Sequence, residues 1–349
     1  MFNPNSSTRF HFVCRSIRKP VVFTTTFTIY LLFWQQAAYA QIPHCDPGKV
    51  LGVNSCSQCH HAEVLVWKQT PHSQTFEALH RQPRAKEISR NLGQRSIKRG
   101  NRCIRCHYTT QQLNEDRERV IAGVSCESCH GAASDWIQLH NDYGGPTATR
   151  QSESPAHRDR RLKESTSAGM RNSRDLYRIA QSCLQCHTVP DEELVNTGTH
   201  VAGSDNFELV AWSQGTLRHN FLQSQGTENA TKALPRIRVM YVVGQIADLE
   251  FNTRATALAT QKATYGTTVA NRAAVTATRL FEIQQRLHDP LLESILRLFS
   301  EAELKTNNPT QLLKIADAIQ ELGIEFSQKA DGKTMGAIDS MLPSPQQYR

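Results

Sequence analysis

Eight cysteines and four histidines of this chain recur in one arrangement: Cys56-Ser57-Gln58-Cys59-His60, Cys103-Ile104-Arg105-Cys106-His107, Cys126-Glu127-Ser128-Cys129-His130 and Cys183-Leu184-Gln185-Cys186-His187. Paired thiols three positions apart suit structural zinc, a redox-active dithiol, or covalent haem attachment, which needs a histidine directly after the second cysteine. The histidine separates them. With 14 histidines in 349 residues, one would follow a given pair by chance about 4 % of the time, and all four pairs in roughly a few cases in a million. The spacing lets both sulfurs form thioethers to the vinyl groups of one porphyrin while the adjoining imidazole swings beneath the ring to iron. The motifs therefore imply four covalent haem c groups, with His60, His107, His130 and His187 as the proximal iron ligands.

The occupant of the second axial position sets potential and reactivity: methionine raises the potential, a second imidazole keeps it lower, and a vacancy admits substrate. Between residues 41 and 230 Met170 is the only methionine, which leaves imidazole as the available ligand. His72 follows a short helical pattern over Ala62 to Lys68, which carries Trp67 as a ring to lie against a porphyrin, and Pro71 stops that helix. His140 lies ten residues after His130, too near to reach around the same ring, and so suits a neighbouring haem. His219 follows the apolar stretch Phe207 to Trp212, and His200 precedes Gly203, which permits close approach to a ring. These four are the distal candidates. His61 adjoins a proximal ligand and points away, His80 suits a supporting contact as well as a ligand, His44 and His157 suit solvent or propionate contacts, and His288 suits a structural role.

Two stretches carry a family resemblance. Cys56 to His60 followed by Trp67-Lys68-Gln69-Thr70-Pro71-His72, and then Gly123-Val124-Ser125-Cys126-Glu127-Ser128-Cys129-His130-Gly131, resemble the tetrahaem cytochrome c-554 family, over roughly residues 50 to 221. The best-known member carries electrons away from hydroxylamine oxidoreductase. The resemblance implies His140 as distal ligand of the first haem (His60), His72 of the third (His130) and His219 of the fourth (His187). It implies an open second haem (His107), and the sequence leaves undecided whether His200 closes it here. Ala132-Ala133 replaces the family's Pro-Gly, and about 110 residues follow the haem region, which puts a shared partner in doubt.

These ligands need a scaffold, and the composition describes it: 39 % hydrophobic, 21 % charged and only 7 % aromatic residues, typical of a soluble globular protein with apolar bulk to be supplied by the porphyrins. Arg9, Arg15, Arg18 and Lys19 precede the apolar run Val21 to Trp34 and Ala38-Tyr39-Ala40, which reads as an export signal cleaved after Ala40 and places the protein in the periplasm. A membrane anchor would need about 20 apolar residues. Without residues 1–40 the net charge falls from +8 to +4, and basic clusters such as Arg158 to Arg161 are short and mixed with acids, so nucleic acid is not an expected partner. Cys14 leaves with the signal; Cys45 remains as an unpaired thiol, an intermolecular disulfide or a redox sensor, the first being the commonest fate of such a cysteine.

The expected fold is mainly α: short helices and loops around a packed haem cluster over 41–230, then a helical bundle over 231–335 and a tail over 336–349, loose from Ser340 to Arg349. Val239, Val242, Val243, Ile246 and Leu249 share one face of a long helical pattern reaching Leu287. Asp289-Pro290 and Asn308-Pro309 open helices over Leu291 to Leu304 and Gln311 to Phe326, the last burying Leu312, Ile315, Ile319 and Leu322. This bundle suits a lid or a homodimer contact. The functional expectation is electron transfer between redox proteins or a quinol-linked membrane complex. The alternative is a haem enzyme with an open iron at His107, acting on nitric oxide, nitrite or hydroxylamine with Arg105, Tyr108 or His157 as donor.

Overall fold

The computed structural model describes residues 45–349 apart from Gly100, Asp116, Asp205 and Gln225. The signal expected over 1–40 and His44 lie outside them. Prolines punctuate the first part. Helices α1 (Val53–Ser57), α2 (His61–Lys68), α3 (Pro71–Ala78) and α4 (Pro83–Asn91) follow in short succession, and Pro71 and Pro83 each occupy the start of a helix, where a missing N–H and a fixed φ cost nothing. Pro71 therefore opens α3, with Thr70 capping Ser73 N at 3.2 Å, and His72 sits in that helix's first turn rather than beyond a helix end.

The second motif forms α5 (Asn101–His107), followed by an antiparallel hairpin of β1 (Thr109–Asn114) and β2 (Arg117–Ala122), which pairs Gln111 with Arg119. The third motif is α6 (Cys126–His130). The polar excursion after Tyr143 leads into α7 (Pro155–Ser167), capped by Ser154. The fourth motif ends α8 (Leu176–His187), and α9 (Glu192–Asn196) and α10 (Leu209–Ser213) complete this part.

The C-terminal part is four helices: α11 (Leu234–Ala257), α12 (Thr264–Leu287), α13 (Pro290–Ser300) and α14 (Pro309–Lys329). The single long helix expected to reach Leu287 is two, because the Glu192 carboxylate accepts from Thr260 N, Thr260 Oγ1 and Gln261 N at 3.0, 2.7 and 3.1 Å and draws those amides out of helical pairing. Helix α11 is buried around its circumference, not along one stripe alone, because α8, α12 and α14 all pack on it. In α14, Leu312, Ile315 and Ile319 are buried, and Leu322 packs partly buried against the same core.

One hydrophobic core runs through both parts. Leu176, Tyr177, Ala180 and Leu184 of α8 interleave with Val243, Ile246, Leu280, Ile295, Ile319 and Phe326, so the helix that bears the fourth motif is itself a wall of the bundle. The described residues form one compact unit. The expected loose tail is docked instead: Arg349 N donates to Ala211 O at 2.9 Å, Thr216 N to Arg349 O at 2.5 Å, and Arg238 grips Asp339 with two bonds of 2.6 and 2.7 Å. Among the described residues no helix is long and apolar enough to cross a membrane.

Candidate functional site: four facing imidazole pairs

Each motif histidine faces one imidazole from elsewhere in the chain. Ring centroids are 6.3 Å apart for His60 and His140, 6.3 Å for His107 and His200, 6.1 Å for His130 and His219, and 6.1 Å for His72 and His187. Rings packed directly on one another would sit closer. Two imidazoles bound to opposite sides of one metal ion, each through a nitrogen about 2.0 Å from it, have centroids about 6.3 Å apart once the ring radius is added. The four separations match.

The ring nitrogens agree with that reading. His130 Nδ1 lies 3.0 Å from Arg171 O, His140 Nδ1 2.6 Å from Ile137 O, His200 Nδ1 2.8 Å from Val201 O and His219 Nδ1 2.6 Å from Leu217 O. A carbonyl only accepts, so Nδ1 donates in each case and Nε2 is left as the unprotonated ligand nitrogen. Burial pushes the pKa of His107, His130 and His187 down to about 4, with nearby imidazoles adding to the effect, so all three are neutral bases at ordinary pH. Burial also raises the thiols of Cys103 and Cys129, and that of Cys183 to about 12.

The motifs also meet one another. The Cys56 thiol lies beside that of Cys126, and that of Cys106 beside that of Cys186. Motif one thus lies against motif three, and motif two against motif four. This spacing of sulfurs and imidazoles fits covalent haem held by the eight cysteines and gripped by the paired histidines.

The contacts that aim these rings explain the residues around the motifs. Gly123 has no room for a side chain: a Cβ there would lie 2.3 Å from His72 O and 2.7 Å from Ser73 O. Val124 N donates to His72 O at 3.0 Å, and Trp67 Nε1 to Val124 O at 2.8 Å. Trp67 thus ties α2 to the strand leading into the third motif, and His72 is fixed between them. The Thr75 hydroxyl lies 2.8 Å from His72 O and 2.7 Å from His107 O. Glu127, between the cysteines of the third motif and 1 % exposed, accepts from Leu51 N and Ala133 N at 2.9 Å and from Gly52 N at 2.8 Å. A buried carboxylate satisfied in this way pins the start of the first motif to the third. On the fourth motif, Phe207 stacks on His187 with centroids 4.5 Å apart.

The structure rearranges two expected pairings. His140 faces His60, as the resemblance implies, but His72 faces His187 rather than His130, and His219 faces His130 rather than His187. The cause is the seating of α3 against Gly123 and the Thr75 bridge to His107, which turn His72 toward the second and fourth motifs. His200, left open by the sequence, faces His107. The remaining histidines have other surroundings: His157 bonds Glu153 Oε1 at 2.8 Å, His80 Nδ1 is buried with no hydrogen-bond partner, and His288 caps α12 at φ 51°. The Tyr108 hydroxyl is likewise buried without a partner. Cys45 is an unpaired thiol that donates to Glu127 O at 2.6 Å, its pKa raised to about 11 by burial.

Sequence reasoning missed Glu127, Gly123 and Thr75. Glu127 and Gly123 belong to the quoted Gly123–Gly131 stretch, and a carboxylate between two motif cysteines was the available signal; Thr75 carries none.

Residues 55–131 match the family described as Cytochrome c554 and c-prime. A cytochrome c-554 from Nitrosomonas europaea is 28 % identical over 106 residues, which cover 27 % of this chain and 43 % of that protein; the match thus spans less than half of the relative's length. No solved structure matches the chain. Together with the motif chemistry, these findings define a c-type cytochrome carrying covalently bound haem c. The segment that holds the first three motifs is thus similar to the cytochrome c-554 family.

Proposed function

We propose that this protein is a periplasmic tetrahaem electron carrier, taking electrons from one redox protein or quinol-linked membrane complex and passing them to another. The observation that carries the reading is that every motif histidine, His107 included, faces a second imidazole at the separation of a shared metal ion. When bound, each haem supplies a one-electron ferric–ferrous couple. The chain's own part is to offer a facing pair of imidazoles to each haem, to set Phe207 against His187 and Trp136 against His140, and to set the motifs side by side. Cys56 beside Cys126, Cys106 beside Cys186 and Cys129 near Cys183 support a continuous path through all four. His200 opposite His107 favours this reading over an enzyme with an open second iron. The periplasmic location rests on the basic residues and apolar run before Ala40, and docking contacts are small and transient.

Two measurements test it. The intact mass of the purified protein should exceed that of its polypeptide by four haems, and each Cys-to-Ala pair in a motif should remove one. Electron paramagnetic resonance of the ferric protein should contain low-spin signals alone. A high-spin component that shifts with nitric oxide or carbon monoxide overturns the carrier reading in favour of the open-iron enzyme.

A further inference from the structure

The charge around the four motifs is uneven. From Arg81 to Arg105 the chain carries nine lysines and arginines and one acid, Glu87. The surroundings of the other motifs differ in sign or balance: residues 45–68 hold two basic and two acidic residues, 115–142 two and six, and 171–196 three and four. The basic run is α4, the loop after it and α5, which is the second motif itself.

Part of this charge is spent internally. Arg102 pairs with Asp191 at 3.0 Å and with Glu193, Lys98 sits over the Phe76 ring at 3.8 Å, and Arg81 and Arg84 pair with the nearby Glu77 and Glu87. Lys86, Arg90, Arg95 and Arg99 are exposed and have no acidic partner among the described residues. Arg84 donates to Thr199 O and Asn91 Nδ2 to Thr199 Oγ1 at 3.5 Å, which sets the end of α4 beside His200. Gln94 Oε1 receives the Cys103 thiol at 3.5 Å, which sets the following loop on the second motif. At the same place Val201, next to His200, is 68 % exposed.

We infer that this surface is the docking face for an acidic one-electron redox protein, which exchanges its electron with the haem held by His107 and His200. The inference rests on the electron-carrier reading. An exposed apolar residue beside the paired imidazoles gives close approach, and a surrounding set of unpaired cations gives steering and orientation without tight binding. In the transfer, one electron leaves the partner's reduced centre and enters the ferric haem; no bond forms or breaks and no proton moves. The near-neutral or acidic surroundings of the other three motifs leave the second as the face that selects such a partner.

The test uses the haem-loaded full protein and an acidic [2Fe–2S] ferredoxin as probe. Its rate of electron donation should fall about tenfold between low and moderate ionic strength, and calorimetric binding of the oxidised pair should weaken in parallel. The variant K86E/R90E/R95E/R99E should lose about tenfold in both rate and affinity. K262E/R297E/K314E/K333E, which makes the same change in net charge on the C-terminal part, should change either by less than about twofold. Reduction by a neutral quinol analogue should be the same in all three proteins, which also reports intact haem. A variant that keeps the wild-type ferredoxin rate and salt dependence overturns the docking face alone. Failure of the wild-type protein to accept electrons from either reductant overturns the carrier reading beneath it. Binding of the wild type to phosphatidylserine-rich vesicles or duplex DNA that the variant loses, with ferredoxin kinetics unchanged, reassigns the face and overturns the inference.

Discussion

The imidazoles of His72 and His187 face each other with centroids 6.1 Å apart, although one lies in the first turn of α3 and the other ends α8, in the wall of the C-terminal core. An imidazole from the beginning of the chain thus faces the last motif, and one from beyond the last motif, His219, faces back onto the third. Haem held between these crossed pairs would lock the two halves of the motif region together, as a disulfide would, through bonds that exist only when it is bound.

The crossed pairs make a distinguishing prediction. His72→Ala should convert one haem to high spin. If that haem is the one at His187, adding His72→Ala to a C183A/C186A background, which lacks it already, should produce no new high-spin signal. A new signal in that background would return His72 to the third haem.

Glu127 should matter more than a surface carboxylate. Glu127→Gln replaces one of the two oxygens that accept from the backbone N–H groups of Leu51, Gly52 and Ala133 and should cost about 1–3 kcal/mol, read as a lowered denaturation midpoint by circular dichroism. Loss of the first haem from purified protein on partial unfolding should accompany it, because Leu51 and Gly52 lead into that motif.

Gly323 stands where α14 crosses α8. A Cβ there would fall 2.2 Å from Tyr177 Cε2, and Tyr177 is fully buried with its hydroxyl donating to Glu250 Oε2 at 2.8 Å. Gly323→Ala should therefore destabilise by about 1–3 kcal/mol through overpacking. In the G323A/Y177F double variant the clash persists, so its cost should not be relieved; Y177L should relieve part of it. Thermal melts followed at 222 nm decide between them.

Acid should loosen the excursion around α7 first. Arg161 bonds Glu153 with 2.7 and 2.6 Å contacts and His157 adds a third at 2.8 Å, which together hold the Glu153 carboxyl at a pKa of about 2. A pKa below the ordinary glutamate value of about 4.3 means that this stabilisation is present above that value and is lost as the pH falls from there toward 2. Arg161 also donates to His140 O at 2.7 Å, so the low-spin signal of the His60 haem should be perturbed in the same window. Glu153→Gln should remove this acid dependence and lower stability at neutral pH.

Much of the helical architecture could be read along the chain. Proline at the first helical position marked α13 and α14, and the 3.6-residue recurrence of Val239, Val242, Ile246 and Leu249 marked α11. The break between α11 and α12 could not, because it depends on the Glu192 carboxylate, distant in sequence, drawing two amides away from the helix. The docking of Arg349 onto Ala211 was hidden for the same reason: a polar C-terminal segment has no local signal for the backbone groups waiting to pair with it.

The ligand assignment divides along the same physical line. Two sulfurs and an imidazole within five residues are held together by covalent geometry, so the four attachment motifs and their proximal histidines follow from local order alone. Which second imidazole stands opposite each of them depends on where α3, the Gly123 contact, the Arg161–His140 bond and the Phe207 stack come to rest in the packed protein. Those are contacts between segments far apart in the chain, and only folding brings them together.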